Sequence, residues 1–261
     1  MTKKDLILKI FKTYFPYLVI VLATMLSCYI HFLPGLAPGD DIVFHLGMIN
    51  DVVYGIRNGF APYSANHLYM GGFAINNFAF YGPVTHYGAG IFVVMFSWAG
   101  ATAITGLKFV VFASGLLGGV YMYRLAMKMS KGHSLVSLIA AVLFVLLPYR
   151  IFCALARAAY AESIAIALIP MVFYGAYSFI HDNEYRVEPY VVFVVGAVLL
   201  VLSHAFTALS AAIFGVLYML FNIKGVIKRF QDKAAIISLV SSIVFPHCRC
   251  YIIHLIQSDM N

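Results

Sequence analysis

Two adjacent acids open the most polar segment of this very apolar sequence. Asp40 and Asp41 follow a Pro-Gly break, and His45 comes four residues after Asp41, so Asp41 and His45 would share one helical face. A carboxylate beside a histidine at a helix start can act as a general base or as a metal ligand. The structural alternative makes Asp40 the helix cap and Asp41 a favourable acid in the first turn. Both interpretations stay open for Asp40, whereas His45 favours a functional Asp41.

A second polar segment contains Arg150, Arg157 and Glu162 beside apolar stretches. Arg150 and Arg157 are seven residues apart, and this spacing would place both guanidinium groups on one helical face. There they could bind a phosphate or pyrophosphate bidentately. In the structural alternative, Arg157 pairs with Glu162, or both side chains extend to the membrane surface. The pattern favours function for Arg157, and both interpretations stay open for Arg150 and Glu162.

His204 is the third polar site, between two apolar stretches. A histidine in such a hairpin is either a hydrogen-bonded core residue or a functional group, and both interpretations stay open. Tyr63 lies in a Gly- and aromatic-rich loop after Asn58 and Gly59. Its ring suits sugar stacking and also suits anchoring at the membrane interface, and the pattern favours anchoring.

The composition places these residues in a membrane protein. Hydrophobic residues make up 63% of the 261 residues and charged residues 10%, against roughly 25% charged residues in soluble domains. This excludes a soluble enzyme and, despite the net charge of +7, a nucleic-acid-binding domain. Because lipid offers no partner for unpaired backbone groups, the long apolar stretches predict helices. The four cysteines lack zinc or redox spacing and are interpreted as free thiols.

Apolar stretches that could cross a bilayer recur along the whole chain. The candidates are 14–36, 89–106, 107–127, 135–149, 163–180, 190–203, 205–222 and 234–256. Residues 42–56 differ from these, because apolar residues recur there at helical spacing. They predict an amphipathic helix on the outer membrane surface.

The basic residues decide between two topologies, since Lys and Arg accumulate on the cytoplasmic side. Lys3, Lys4, Lys9 and Lys12 precede the first stretch and predict a cytoplasmic N-terminus. If every candidate crosses, seven basic residues lie inside and nine outside. If 89–106 does not cross, twelve lie inside and four outside. The second topology is therefore preferred.

We accordingly predict an all-α bundle of about seven spans forming one transmembrane domain over residues 1–261. Residues 37–106 would be an outer loop with juxtamembrane or re-entrant helices. Residues 246–261 change character abruptly, with Pro246 and Arg249 inside an apolar stretch, and suggest a truncated or frameshifted end. On this topology the three polar segments lie on one outer face, where ionisable groups at membrane depth mark function.

Four motifs, taken in chain order, carry a family resemblance. They are Gly39-Asp40-Asp41 with His45, Asn58-Gly59-x-x-Pro62-Tyr63, Arg157-x-x-Tyr160-Ala161-Glu162 and Leu202-Ser203-His204. Over roughly residues 10–245 the chain resembles the GT-C superfamily of polytopic membrane glycosyltransferases. More narrowly, it is similar to bacterial multispanning membrane proteins described as 6-pyruvoyl-tetrahydropterin synthase-related. Members usually run several hundred residues further, so two alternatives stay open for this short chain, an active enzyme and an inactive truncated one.

The resemblance implies a multi-pass enzyme of a bacterial cell membrane. It would take a sugar from a polyprenyl-phosphate-linked donor on the outer leaflet and pass it to a cell-envelope acceptor. Asp41, with Asp40, would be the general base or would bind a divalent metal, Arg157 would hold the lipid phosphate, and His204 would support the site. The competing hypothesis is a non-catalytic or transporter-like bundle, which would place its ionisable residues near mid-membrane.

Overall fold

The computed structural model describes residues 3–36, 39–60, 78, 81–182 and 186–231, and the regular structure in these ranges is helical throughout. The helices are α1 (Lys3–Ser27), α2 (Ile42–Arg57), α3 (Val84–Met95), α4 (Ala103–Met129), α5 (Ser134–Val145), α6 (Pro148–Leu155), α7 (Tyr160–His181), α8 (Val187–Val201), α9 (Ala205–Phe221) and α10 (Ile223–Gln231). The all-α prediction is confirmed. Tyr63, the candidate span 234–256 and the segment 246–261 lie outside the described residues.

Three helical segments are long and apolar enough to cross a membrane, namely α4, the stretch Ser134–Leu155 that comprises α5 and α6, and α7. Helices α9 and α10 would make a fourth only if the pair were counted as one span, since the chain bends by 84° between them. The apolar part of α1 (Phe11–Ser27), helix α3 and helix α8 are shorter apolar helices. The described residues therefore contain three or four candidate spans, and the prediction of about seven, one of which (234–256) lies outside these residues, is not confirmed.

The first helix is displaced from the predicted stretch 14–36. It begins at Lys3 and ends at Ser27, and a 3₁₀ turn follows at Tyr29–Phe32. Pro34 and Gly35 cannot extend a helix, and Gly35 has a positive φ of 77°. The lysine-containing start can be helical because Lys and Leu both favour a helix.

Residues 89–106 are interrupted rather than forming one helix. Helix α3 ends at Met95, Gly100 has a φ of 77°, and α4 starts after a capping box at Thr102. The two helices then pack side by side, with the rings of Phe92 and Phe109 stacked at 4.3 Å between centroids. The break allows α3 to fold back along the first turns of α4.

Helix α2 covers the residues predicted to be amphipathic, but it packs against protein. Its buried residues include Met48, Ile49 and Val52. A Cβ added at Gly90 of α3 would lie 2.6 Å from Val52 Cγ1, so the two helices touch closely. The apolar side of α2 is therefore covered by α3, and the prediction that this side lies on the membrane surface is wrong.

Successive long helices alternate in direction between two ends of the bundle. One end, which we call the site face, holds the links 156–159 and 202–204 together with α2 and α3. The other end, the basic face, holds the N-terminal half of α1, the link 130–133 and α10. The charge pattern predicts that the site face is the outer one.

Glycines let the central helices α4, α7 and α8 approach closely, as small residues do in membrane bundles. A Cβ at Gly118 of α4 would lie 2.4 Å from the Ala167 carbonyl oxygen of α7. A Cβ at Gly175 of α7 would lie 2.5 Å from the Pro189 carbonyl oxygen of α8. In both cases the added Cβ would meet a backbone carbonyl oxygen. A backbone atom cannot move out of the way as a flexible side chain can, so the two helices themselves would have to separate.

We expect Gly118→Ala to destabilise the bundle by about 1–3 kcal/mol, because overpacking forces α4 and α7 apart. Thermal unfolding in detergent measures this as a lowered midpoint. Gly215→Ala is the matched control, since nothing lies within 4 Å of a Cβ built at Gly215 of α9. The control should unfold at or slightly above the wild-type temperature, because Ala favours a helix over Gly. Equal midpoints for the two variants would contradict the close α4–α7 packing.

Candidate functional site

The loop that carries Asp40 and Asp41 rests directly on the link between α6 and α7. A Cβ added at Gly39 would lie 2.6 Å from the Ala158 Cβ and 3.0 Å from the Ala158 nitrogen. Any larger residue at position 39 would therefore push the loop away. The first polar segment is in this way held against the second, which contains Arg157.

The start of α3 is joined in the same way to the link between α8 and α9. A Cβ at Gly82 would lie 2.2 Å from the Leu202 carbonyl oxygen, and the Val84 N–H donates to that oxygen at 3.2 Å. His204 follows two residues after Leu202. The structure thus brings all three polar segments to the site face, as the charge pattern predicts.

Asp41 occupies the N-cap position of α2, yet its side chain makes no capping hydrogen bond. The carboxylate is half-buried, and Asp40 beside it is exposed. The predicted side-chain pairing of Asp41 with His45 is not formed; the His45 backbone N–H instead donates to the Asp41 carbonyl oxygen at 3.0 Å. The Asp41 carboxylate is consequently not engaged in holding the helix start.

His45 pairs with His86, a residue that no sequence motif marks as a site residue. Its Nδ1 lies 2.9 Å from His86 Nε2 of α3, and the two rings stack 5.1 Å apart with planes 19° from parallel. Both side chains are fully buried. The Tyr160 ring meets His45 edge-on at 5.3 Å. One imidazole must donate to the other, so the pair ties α2 to α3 beneath the Asp41 loop.

Burial keeps this histidine pair neutral. It lowers the pKa of His45 to about 4 and that of His86 to about 3, the latter helped by repulsion from His45. Hydrogen bonding to the Ala158 backbone raises the pKa of His45, and hydrogen bonding to the Gly82 backbone raises that of His86, but burial outweighs both. An uncharged pair is required here, since two buried imidazolium rings in contact would repel each other without compensation.

The pair predicts a loss of stability in acid. Unfolded histidines bind protons near pH 6.5, whereas folded His45 does so near its pKa of about 4. The free energy of unfolding should therefore fall as the pH drops from about 6.5 to about 4, by on the order of 3 kcal/mol for His45 alone. Thermal unfolding across this range measures the loss. The double variant His45→Gln with His86→Gln should flatten the profile, and His133→Gln, at an exposed histidine, should not. An unchanged slope in the double variant would contradict this origin.

Arg157 and Glu162 form an ion pair, as in the structural interpretation of these two residues given above. Arg157 Nη1 lies 3.1 Å from Glu162 Oε2, and the Tyr149 hydroxyl donates to Glu162 Oε1 at 2.7 Å. The Arg157 side chain is 46% exposed. An ion pair this exposed contributes little to stability, because solvent screens it. The guanidinium can therefore exchange Glu162 for another anion at little cost to the fold.

Tyr81 was not singled out by its sequence position, yet it lies within the electrostatic reach of the candidate groups. Burial raises the pKa of its phenol, the Asp41 and Glu162 carboxylates add to the increase, and Arg157 opposes it. The Tyr81 ring also packs on Phe44 of α2, with centroids 4.9 Å apart. A tyrosine before Gly82 in an aromatic-rich loop gave no distinctive signal.

His204 caps α9. Its Nδ1 accepts from the Thr207 N–H at 3.4 Å and lies 2.8 Å from the Thr207 hydroxyl. Since Nδ1 accepts, the ring proton is on Nε2. Burial lowers the pKa of His204, Glu162 opposes this change, and Arg157 adds to it. His204 is thus both a structural cap and a neighbour of the Arg157–Glu162 pair.

Arg150 does not join Arg157. Helix α6 ends at Leu155 and Ala158 has a positive φ of 55°, so the seven-residue spacing does not run along one helix. The Arg150 guanidinium is buried, and its Nη2 donates to Ser27 Oγ at 3.1 Å and to the Val145 carbonyl oxygen at 2.9 Å. The structure therefore places Arg150 between α1 and α5 and separates it from the predicted phosphate grip.

A cavity of about 770 Å³ opens beside the Arg157–Glu162 pair, between α4, α5, α7 and α9. Tyr149, Glu162 and His204 line the cavity at the site face. Arg157 does not line it but forms an ion pair with Glu162, which does. Apolar side chains supply most of the remaining wall, among them Met122, Leu125, Phe144, Ile166, Phe173 and Phe214. The result is a long apolar space with a charged end.

The family described as "6-pyruvoyl-tetrahydropterin synthase related domain; membrane protein" matches residues 78–247, which is more than half of the chain. The chain belongs to this family of membrane proteins. A search of curated proteins and a search of solved structures gave no match. The narrower resemblance seen in the sequence is thereby confirmed, and the lipid bilayer is the environment of the chain.

The family match divides the candidate site. His86, Arg157, Glu162 and His204 lie within the matched residues, and the segment 39–45 precedes them. In the part of the chain that the structure describes, no group of three or more His, Cys, Asp or Glu could hold a metal ion. Asp40 and Asp41 supply two adjacent carboxylates, a number that suits Mg²⁺ when substrate phosphate completes its shell.

Proposed function

We propose that this membrane protein transfers a sugar from a polyprenyl-phosphate-linked donor to an acceptor hydroxyl at the site face. The observation that carries the proposal is the apolar cavity that ends at Glu162, next to Arg157. A lipid-linked sugar needs the same combination, with apolar walls for the isoprenoid chain and a cation for the phosphate at one end.

The expected reaction uses groups that the structure brings to this face. Asp41 removes the proton from the acceptor hydroxyl as its oxygen bonds to the anomeric carbon of the sugar. The bond from that carbon to the phosphate oxygen breaks, and polyprenyl phosphate leaves with the electron pair. Arg157, released from Glu162, neutralises the developing charge on the phosphate. If a divalent metal assists, Asp40 and Asp41 are the ligands we expect.

A transporter-like bundle is the second candidate, and the buried Arg150 is the observation that favours it. Ionisable groups inside a membrane bundle often mark a transport path. However, Arg150 Nη2 donates to Ser27 and to the Val145 carbonyl oxygen, and these hydrogen bonds join α1 to α5. The exposed, exchangeable charge is that of Arg157, at the end of the bundle. This arrangement supports the transferase over the transporter.

Cross-linking with a photoreactive polyprenyl phosphate tests the proposal on the purified full chain. We expect labelling in α4, α7 or α9 around the cavity, and weaker labelling by the matching polyprenol without phosphate. Arg157→Gln should weaken binding about 10- to 100-fold, the value of a charge-assisted hydrogen bond. Arg57→Gln is the control, since Arg57 is exposed at the end of α2 and does not line the cavity.

Two outcomes would count against the proposal. Equal labelling by polyprenyl phosphate and by the polyprenol without phosphate would show that Arg157 does not bind the phosphate. Labelling confined to residues outside the cavity would show that the apolar space holds something other than the donor chain.

A further inference from the structure

A second cavity, of about 440 Å³, lies at the basic face, at the opposite end of the bundle from the candidate site. Helices α1, α4 and α7 and the first residue of α5 form its wall. Three of the lining residues are cations, Lys12, Arg124 and Lys128. The proposed transferase reaction makes no use of this cavity.

Two of these cations are fixed in place by their surroundings. Arg124 Nη1 lies 2.6 Å from Glu188 Oε1, and its Cζ lies 4.7 Å from the centroid of the Tyr174 ring. Lys128 pairs with Asp182, and its Nζ lies 5.2 Å from the same ring. Neither acid lines the cavity, so both hold the cations from outside it. The positive groups are thus preorganised before any ligand arrives.

The remaining polar groups of the wall are also suited to an anion. Lys12 is exposed and has no ion pair within the described residues. The Tyr123 hydroxyl and Ser134 Oγ lie 3.4 Å apart in the wall. Ser134 begins α5, where the first backbone N–H groups of a helix favour negative charge. Ammonium, guanidinium and hydroxyl donors together match the acceptor oxygens of a phosphate.

The position of the cavity indicates where that phosphate comes from. Helix α10 turns 84° from α9 at the same face, so it lies across the end of the bundle. Its exposed apolar residues are Ile223, Ile227 and Phe230, and Lys224 and Lys228 are exposed between them. Such a helix is typical of one lying in the headgroup region of a membrane. The cavity therefore opens at the depth of the lipid phosphates.

We infer that this cavity binds the phosphate headgroup of an anionic membrane lipid in the leaflet opposite the candidate site. Basic pockets between membrane helices take such headgroups. Met127 and the ring of Tyr17 give the wall an apolar part that fits the glycerol and the start of the acyl chains. The inference is independent of the transferase proposal, because it uses other residues at the other face.

Native mass spectrometry of the purified full chain tests the inference, with phosphatidylglycerol, phosphatidylcholine and inorganic phosphate as separate probes. We expect phosphatidylglycerol to be retained in preference to phosphatidylcholine. Lys12→Gln should weaken phosphatidylglycerol binding about five-fold, the contribution of one basic residue near an anionic surface. Adding Lys128→Gln should weaken it further. Lys131→Gln is the matched control, since Lys131 is exposed at the same face but outside the cavity.

The inference is overturned if Lys12→Gln and wild type retain phosphatidylglycerol equally. It is also overturned if inorganic phosphate binds with the same dependence on Lys12 and no lipid is preferred, because a free phosphate would then be the ligand. Lys12 is exposed, so its substitution should leave the unfolding midpoint unchanged, and this keeps the test valid if the double variant fails to fold. Arg157→Gln should leave phosphatidylglycerol binding unaffected, which separates this result from the transferase test.

Discussion

Replacing Asp41 by Asn is expected to reduce sugar transfer by about 10²–10⁴-fold, the typical loss on removing a general base. The carboxylate is half-buried at the start of α2 and makes no capping hydrogen bond, so it is available to the acceptor hydroxyl. Asn serves as well as Asp at an N-cap position, and the fold should therefore be retained. The measurement is sugar transfer in membranes containing the full chain, supplied with a panel of labelled polyprenyl-phosphate monosaccharides.

Asp182→Asn provides the control for Asp41→Asn. The same chemical change at Asp182 breaks the pair with Lys128 at the basic face and leaves the site face untouched. We expect transfer by this variant to stay at the wild-type level, with an unfolding midpoint lowered slightly at most. If Asp41→Asn transfers sugar at the rate of Asp182→Asn, Asp41 is not the base and its position at the helix start is structural.

The convergence of the polar segments could be predicted from the sequence because charge placement in membrane proteins follows a simple rule. Counting Lys and Arg separated two topologies, and only the one in which 89–106 does not cross brings His204 to the same face as Asp41. The structure breaks that stretch at Gly100, where a positive φ ends the preceding turn. A glycine in such a stretch can be seen in the sequence, so the break between α3 and α4 could be predicted.

The partners of individual side chains could not be predicted from the sequence in the same way, because they depend on contacts between residues far apart in the chain. His45 was expected to meet Asp41 four residues earlier, but it stacks on His86, forty-one residues later. Arg150 was grouped with Arg157 by helical spacing, and the positive φ of Ala158 in the intervening link removes that relation. Local periodicity cannot reveal where a helix ends when no proline or glycine marks the break.

The prediction of about seven spans is not confirmed, since the described residues contain three or four candidates and 234–256 lies outside them. Hydropathy identifies apolar stretches, but helix length decides whether a stretch crosses the bilayer. Helix α8 has only 15 residues, although its sequence is as apolar as that of a span. The apolar side of α2 was likewise assigned to lipid, because amphipathic spacing alone does not distinguish a membrane surface from a neighbouring helix such as α3.

Filling the apolar cavity is expected to abolish binding of polyprenyl phosphate. Ser210 of α9 lines the cavity, and its hydroxyl is used only within its own helix, donating to the Phe206 carbonyl oxygen at 2.9 Å. Ser210→Trp places an indole in the space where the isoprenoid chain would lie. We expect cross-linking by the photoreactive polyprenyl phosphate to fall at least about ten-fold, since a blocked site forfeits the apolar contact of several isoprene units.

Leu209→Trp is the matched variant, because Leu209 is the adjacent residue of α9, is 59% exposed and does not line the cavity. Both variants add an indole to the same helix turn, so a general effect of tryptophan on insertion or stability would appear in both. Cross-linking should persist in Leu209→Trp and be lost in Ser210→Trp. If both variants retain cross-linking, the lipid chain lies elsewhere and the cavity does not serve the donor. If both lose it while their unfolding midpoints match the wild type, α9 contacts the donor on its outer surface, and the cavity between α4, α5, α7 and α9 is again not the binding site.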